Sequence, residues 1–143
     1  MKLTIYSDGA SRNNPGHAGL GVVVKKGNEV VAEIAEYLGK TTNNIAEYMA
    51  FIRGLEEALA QGAKEVHCYA DSELLVKQIN GEYRVKHEGL VPLYHHAMAL
   101  SRKFADFALE YIPREKNQAA DALSNKAIDD HHHSTHGPLF GTI

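Results

Sequence analysis

Four acidic residues, far apart in the chain, carry the chemistry this sequence offers. In "KLTIYSDGASRNNPGHAG", Lys2 to Gly19, a strand-like run reaches Asp8 and turns at once into Gly, Ser, Asn and Pro. A second apolar run, Val66 to Ala70, also ends on an acid, Asp71. Glu47 stands in "TTNNIAEYMA" and Asp121 in "NQAADALSNKA". On a helical wheel, Ile45, Tyr48, Phe51, Ile52, Leu55 and Leu59 form one face and Arg53, Glu56 and Glu57 the other. Glu47 falls at the margin of the apolar face. Its helical neighbours at the next turn are Ala50 and Phe51, so no basic partner sits there. An inward carboxylate is costly unless it is paired, protonated or bound to metal.

Each of the other acids also has an ordinary structural use. Asp8 before Gly9 suits a turn, Asp71 a helix cap, and Asp121 a helix dipole. Glu47 has no such use, and it draws the other three into one reading. Asp8 and Asp71 close strands joined by a helical crossover, so their ends meet where open α/β sheets place their sites. Asp121, among Ala119, Ala120, Ala122 and Leu123, reads as turned inward. Carboxylates that meet repel one another, so cations must hold them. Oxygen-only ligands select hard ions, Mg²⁺ or Mn²⁺.

The elements that would position these acids follow from periodicity and breakers. Lys2–Asp8 alternates with period two, and Gly9 to Ala18 reads as a loop. Strands follow over 20–25 and 30–38, joined by a hairpin turn at Lys26–Glu29. Thr41 to Asn44 offers N-caps for a helix to about Gln61, and Gly62 ends it. A fourth strand covers 66–70, a helix 72–80, and a helix 93–104 follows a linker holding Gly89 and Pro92. A fifth strand, 107–112, stops at Pro113, and a last helix spans 117 to about 129. The order β-β-β-α-β-α-α-β-α makes an α/β fold with a mixed sheet.

At 143 residues and 15.7 kDa the chain makes one domain able to bury a core without staples. No apolar run approaches the roughly 20 residues that span a bilayer, and the N-terminus lacks a signal-peptide profile. One cysteine, Cys68, forms no internal disulfide and suits a cytoplasmic protein. The net charge of −3 excludes nucleic-acid binding by bulk basicity, so any such role uses local contacts or metal ions. The aperiodic tail His131–Ile143, rich in histidine, has the composition of a disordered or vector-derived extension. Residues 1–130 form the expected domain. His95 and His96 point about 100° apart on their helix and read as surface residues.

"YSDGASRNNPGHAGLG", "TTNNIAEYMA", "CYADSELLVKQING" and "IPREKNQAADALSNKA" together resemble the four blocks of the ribonuclease H type 1 family, in order, up to about Asp130. The resemblance implies a five-stranded sheet in the order 3-2-1-4-5, flanked by helices on both faces. It implies catalytic and metal-binding acids at Asp8, Glu47, Asp71 and Asp121, with two Mg²⁺ ions (Mn²⁺ as substitute) roughly 4 Å apart. The activity it implies is cleavage of the RNA strand of RNA/DNA hybrids to a 5′-phosphate and a 3′-hydroxyl. Gly9, Ala10 and Ser11 would then meet the RNA and its 2′-hydroxyls. Asn14 and Asn44 would hydrogen-bond the hybrid, and Thr42 or Asn43 would reach a phosphate of the DNA strand.

Two departures mark this chain. The loop Arg114-Glu115-Lys116-Asn117 lacks a histidine that many relatives carry there, and its charges read as solvated. The segment Tyr83–Gly89 stands where several relatives have a basic, tryptophan-containing handle, which implies the shorter form and a salt-sensitive grip on the hybrid. The competing readings are a nuclease for double-stranded RNA or junctions, an inactive hybrid-binding module, and half of a sugar-kinase-like ATPase. The last needs a second lobe that the length does not hold. A monomer without an obligate partner is expected.

Overall fold

The computed structural model describes residues 1–136. The strands are β1 (Lys2–Ser11), β2 (Gly16–Lys26), β3 (Glu29–Thr41), β4 (Glu65–Ala70) and β5 (Asp106–Tyr111). The helices are α1 (Asn43–Ala60), α2 (Glu73–Ile79), α3 (Val91–Ser101) and α4 (Gln118–His136), with a single 3₁₀ turn at Arg114–Lys116. The five strands form one sheet in the order β3-β2-β1-β4-β5. β1–β2 and β2–β3 are antiparallel, and β1–β4 and β4–β5 are parallel. Both the element order and the strand order are those expected from the sequence.

Helices cover the two faces unequally because the side chains along β2 alternate. Leu20, Val22 and Val24 join the buried cluster under α1, with Tyr48, Phe51 and Leu55. Gly19 and Gly21 face α4 instead. A Cβ on Gly21 would lie 2.1 Å from the Ala120 carbonyl oxygen and 2.6 Å from the Ser124 amide nitrogen. The missing side chains therefore let α4 rest directly on the sheet, which fixes the height of its residues over β1. The same face carries stacked rings of Tyr6, Tyr69 and His67.

Several boundaries differ from expectation, each for a local reason. β1 runs past Asp8 to Ser11, because its antiparallel ladder with β2 continues to the pair Ser11–Ala18. Its parallel ladder with β4 stops at Ser7–Ala70, so Asp8 closes that pairing and not the strand. Gly9, Ala10 and Ser11 are thus strand residues, and the connection is only residues 12–15. β3 also extends beyond its expected ends, held by pairing along the whole of β2. Pro92 lies in the first turn of α3, where a proline loses no helical hydrogen bond, so the helix begins earlier than Leu93. Ser72, and not Asp71, caps α2, accepting the Leu75 amide at 3.2 Å.

α4 passes its expected end near Asp129 and runs to His136. The start of the histidine-rich segment therefore continues a helix, and its rings find partners on β2 and β3. The His131 ring stacks on Tyr37 with centroids 3.7 Å apart, and His132 meets His17 edge-on at 4.6 Å. Residues 137–143 of that segment lie outside the described residues. His95 and His96 are exposed on α3, as expected.

Candidate active site

Strand alternation sends consecutive residues of β1 to opposite faces, and the site is built on that split. Asp8 faces α4, where Ser124 Oγ donates to its Oδ2 at 3.3 Å. Gly9 faces α1. A Cβ there would lie 2.2 Å from the backbone of Ala46, so only glycine lets the first turns of α1 descend onto the strand. The descent brings Glu47 against β1, and its Oε1 accepts the Gly9 amide at 2.9 Å. That bond is the answer to how an inward glutamate is satisfied without a basic neighbour.

Asp71 follows the last residue of β4, beside the end of the β1–β4 ladder. Asp8, Glu47 and Asp71 each place a carboxylate oxygen within 4.8 Å of the others. Asp8 is 5% exposed and Glu47 9%, so two of the three acids are withdrawn from water. Burial pushes the Asp8 carboxyl up to about 9, and the charges of Glu47, Asp71 and Asp121 add to the rise. Burial likewise pushes Glu47 up to about 8, against the Gly9 amide, which favours the ionised form. Such a pocket holds acids that ionise only at a cost, and a divalent cation removes that cost.

Asp121 stands beside this group rather than within it. It adjoins Asp8, whose rise it contributes to. Its Oδ1 lies 3.5 Å from Arg114 Nη2 and 3.4 Å from Asn125 Nδ2. The Arg114 side chain is 77% exposed, which makes this a weakly held ion pair. Arg114 nevertheless lines the acid cleft, a volume of about 540 Å³ that also includes Gly9, Ala10, Ser11 and Asn43. The loop charge read as solvated therefore stands at the mouth of the site.

Asn14, Thr42 and Asn44 line a second cleft of about 450 Å³, together with Arg84, Lys86 and His87. The hydrogen bonds of this region tie the turn after β1 to the start of α1. Thr42 is the N-cap, its Oγ1 accepting the Ile45 amide at 3.2 Å. Asn43 Oδ1 accepts the Ser11 amide at 2.7 Å, and Asn14 Oδ1 accepts the Asn43 amide at 2.9 Å. The amides of Gly9 and Ser11 are thus already taken by side chains of α1.

Asn117, not among the residues expected at the site, also belongs to it. It is 2% exposed, and its Nδ2 donates to the Ser7 carbonyl at 2.9 Å and to Asp71 Oδ2 at 3.3 Å. One amide thus joins the end of β1 to the acid after β4. Ser124, completely buried beside Asp8, is a second unexpected member of the site. An asparagine at the mouth of a helix reads as a cap in any sequence, so no signal in the chain distinguished it.

A five-stranded mixed sheet with acids gathered at the ends of its central parallel strands is the ribonuclease H fold. The reverse transcriptase-like family matches residues 6–127. The bifunctional protein Rv2228c of Mycobacterium tuberculosis is 44% identical over 131 residues, which is 90% of this chain and 36% of that protein. The structure of its N-terminal ribonuclease H domain superposes with a TM-score of 0.88, covering 90% of this chain and all of that one. Ribonuclease H1 of Halobacterium salinarum gives 0.88 at 39% identity, covering 91% of this chain and 99% of the other. LC11-RNase H1 in complex with an RNA/DNA hybrid gives 0.86 at 41% identity, with 90% and 98% covered. This chain belongs to the ribonuclease H family. It spans about a third of the length of the first curated relatives it matches. Among the described residues no helix is long and apolar enough to cross a membrane.

Proposed function

We propose that this protein is an endonuclease that hydrolyses the RNA strand of RNA/DNA hybrids, with residues 1–130 as the catalytic unit. The observation that carries the reading is the meeting of Asp8, Glu47 and Asp71 within 4.8 Å in a cleft open to solvent. The donor set fits hard divalent ions, because it is all oxygen, and the two arginines that line the cleft, Arg12 and Arg114, pair with Asp129 and Asp121 and not with the three clustered acids. Asp8, Glu47, Asp71 and Asp121 hold them in this reading, with Mg²⁺ as the ion and Mn²⁺ as substitute. When bound, two such ions supply an activated water on one side of the scissile phosphate and charge stabilisation of the departing 3′ oxygen on the other.

The chain itself orients and excludes. The Gly9 amide fixes the Glu47 carboxylate, and the Asn117 amide fixes that of Asp71, so both face the cleft before substrate arrives. Ala10, which lines the cleft, presents little bulk, which lets an RNA backbone approach the acids. The 2′-hydroxyl is the group that separates RNA from DNA there. Asn14, Thr42 and Asn44, beside Arg84 and Lys86, suit the phosphates of the paired DNA strand. A hybrid-bound relative at 41% identity supports the substrate class. The products are a 5′-phosphate and a 3′-hydroxyl, and the protein acts as a cytoplasmic monomer.

The test is a hybrid labelled on either strand, beside matched double-stranded RNA, in Mg²⁺, Mn²⁺ or EDTA. The RNA strand of the hybrid is cut in either ion, the DNA strand stays whole, and EDTA stops the reaction. An intact hybrid in both ions would refute the reading, and preferential cutting of double-stranded RNA would move it to another substrate.

A further inference from the structure

One guanidinium fastens α4 to the turn after β1. Arg12 Nη1 lies 2.8 Å from Asp129 Oδ1. Arg12 Nη2 donates to Asn125 Oδ1 at 3.2 Å and reaches the Asn125 carbonyl oxygen at 3.5 Å. Asn125 in turn donates from Nδ2 to Asp121, to the carbonyl oxygen at 3.0 Å and to carboxylate Oδ1 at 3.4 Å. The contacts form a line: Asp129, Arg12, Asn125, Asp121.

The direction of that line follows from donor chemistry. A carboxamide has a donor end and an acceptor end, while a guanidinium only donates and a carboxylate only accepts. With Arg12 on one side, the Asn125 oxygen must face the guanidinium, and its NH₂ group must face Asp121. Turned over, the amide would put oxygen against carboxylate and NH₂ against guanidinium, so both contacts would repel. Arg12 therefore decides which end of Asn125 meets the acid.

Asp121 needs such a holder. It is the acid outside the tight group of three, and its side chain is 29% exposed. Arg114, on the solvent side, offers the same Oδ1 atom a competing partner at 3.5 Å. Asn125, one helical turn along, opposes that pull and keeps the carboxylate over the neighbourhood of Asp8. Ser124 Oγ lies 2.8 Å from the Asp121 backbone carbonyl oxygen and 3.3 Å from Asp8 Oδ2, its one proton shared between them, and so links the α4 backbone at Asp121 to Asp8.

We propose that Arg12 and Asn125 are positioning residues for Asp121, linking the turn that carries Asn14 to the acid on α4. This rests on the metal-dependent reading of the acid cleft. The turn is also tied to α1 through Asn14 and Asn43, so it bridges the helix of Glu47 and the helix of Asp121. The bridge lets the substrate-facing turn and the two acids keep one geometry.

The experiment combines Asn125→Leu and Arg12→Lys with Asp121→Asn, reading hybrid cleavage (kcat and KM) and calorimetric Mn²⁺ affinity. Arg12→Lys keeps the charge beside Asp129, so docking of α4 survives while the fork to Asn125 is lost. Asn125→Leu lowers kcat and weakens Mn²⁺ binding by about tenfold, with KM within about twofold. Arg12→Lys moves both the same way. In the Asp121→Asn background neither variant has a further effect, because the acid they position is gone. Equal losses in both backgrounds, or unchanged kcat and Mn²⁺ affinity in both variants, would overturn the proposal. A wild-type protein that cuts no hybrid would instead overturn the activity reading, and the Mn²⁺ affinities would still decide the roles of Arg12 and Asn125.

Discussion

The Gly9 amide donates to Glu47 Oε1 at 2.9 Å, and the two residues are 38 apart in the chain. The bond exists because a glycine lets α1 pack onto β1, since a Cβ at that position would lie 2.2 Å from the Ala46 carbonyl. One residue thus does two things: it admits the helix, and it orients the acid the helix carries.

Gly9→Ala tests that pairing. The added methyl group meets backbone and not the end of a flexible side chain, so α1 must shift. The expected loss of stability is about 3 kcal/mol, seen as a lower urea midpoint. Cleavage falls further than stability alone explains, because Glu47 loses its orientation. A variant with wild-type stability and cleavage would show that α1 does not rest on Gly9.

The acid pocket makes a pH prediction for the metal-free protein. The Asp8 carboxyl ionises near 9 when folded, against 3.8 for the ordinary group. Below the lower value both folded and unfolded chains are protonated there, and the group has no effect. Above it the unfolded chain releases a proton that the folded one keeps, so stability falls as pH rises toward about 9. Glu47 acts in the same direction. The melting temperature of metal-free protein therefore drops between pH 5 and pH 8 more than that of Asp8→Asn, which is the more stable of the two at pH 7 by on the order of 2 kcal/mol. Saturating Mg²⁺ flattens the wild-type profile. Identical pH profiles for the two proteins would contradict the pocket electrostatics.

Asn117 joins Ser7 to Asp71 through one NH₂ group. Asn117→Asp replaces that donor with an acceptor beside another carboxylate. It is expected to cost about 2 kcal/mol of stability and to lower kcat at least tenfold. Asn117→Ala falls between this variant and wild type. Chemical denaturation and steady-state cleavage read both effects, and a neutral Asn117→Asp would remove the residue from the site.

Arg84 and Lys86 line the cleft beside Asn14 and Thr42. If phosphates of the DNA strand lie there, the double variant Arg84→Ala, Lys86→Ala binds hybrid more weakly. The slope of log affinity against log salt is then shallower by about 1–2. Binding that weakens with no change of slope would place the phosphates elsewhere.

Much of this architecture was legible in the sequence because its signals are of the kind that survive without context. Period-two strands, the Thr42 cap and Gly62 at the end of α1 set the element order, and Glu47 at the edge of an apolar face announced an unusual acid. The extension of β1 to Ser11 was hidden, since Gly, Ala and Ser look like loop until β2 pairs with them. The side-chain relays through Asn117, Asn125 and Arg12 were hidden for a different reason. Each depends on which residues the fold brings near, across separations such as the 113 positions between Arg12 and Asn125. The same limit applies to Asp121, whose place beside Asp8 and within reach of Arg114 no helical wheel could give.

In the function proposed above, the gathered carboxylates bind divalent ions, and this binding drives RNA cleavage. The most direct measurement sets calorimetric Mn²⁺ binding beside single-turnover hybrid cleavage for wild type and Asp8→Asn, with folding of both checked by circular dichroism. Asp8→Asn is expected to stay folded, to lose affinity for the ion, and to cut the RNA strand more than about 100-fold more slowly. An Asp8→Asn protein that binds Mn²⁺ and cuts the hybrid as wild type does would contradict the proposed function.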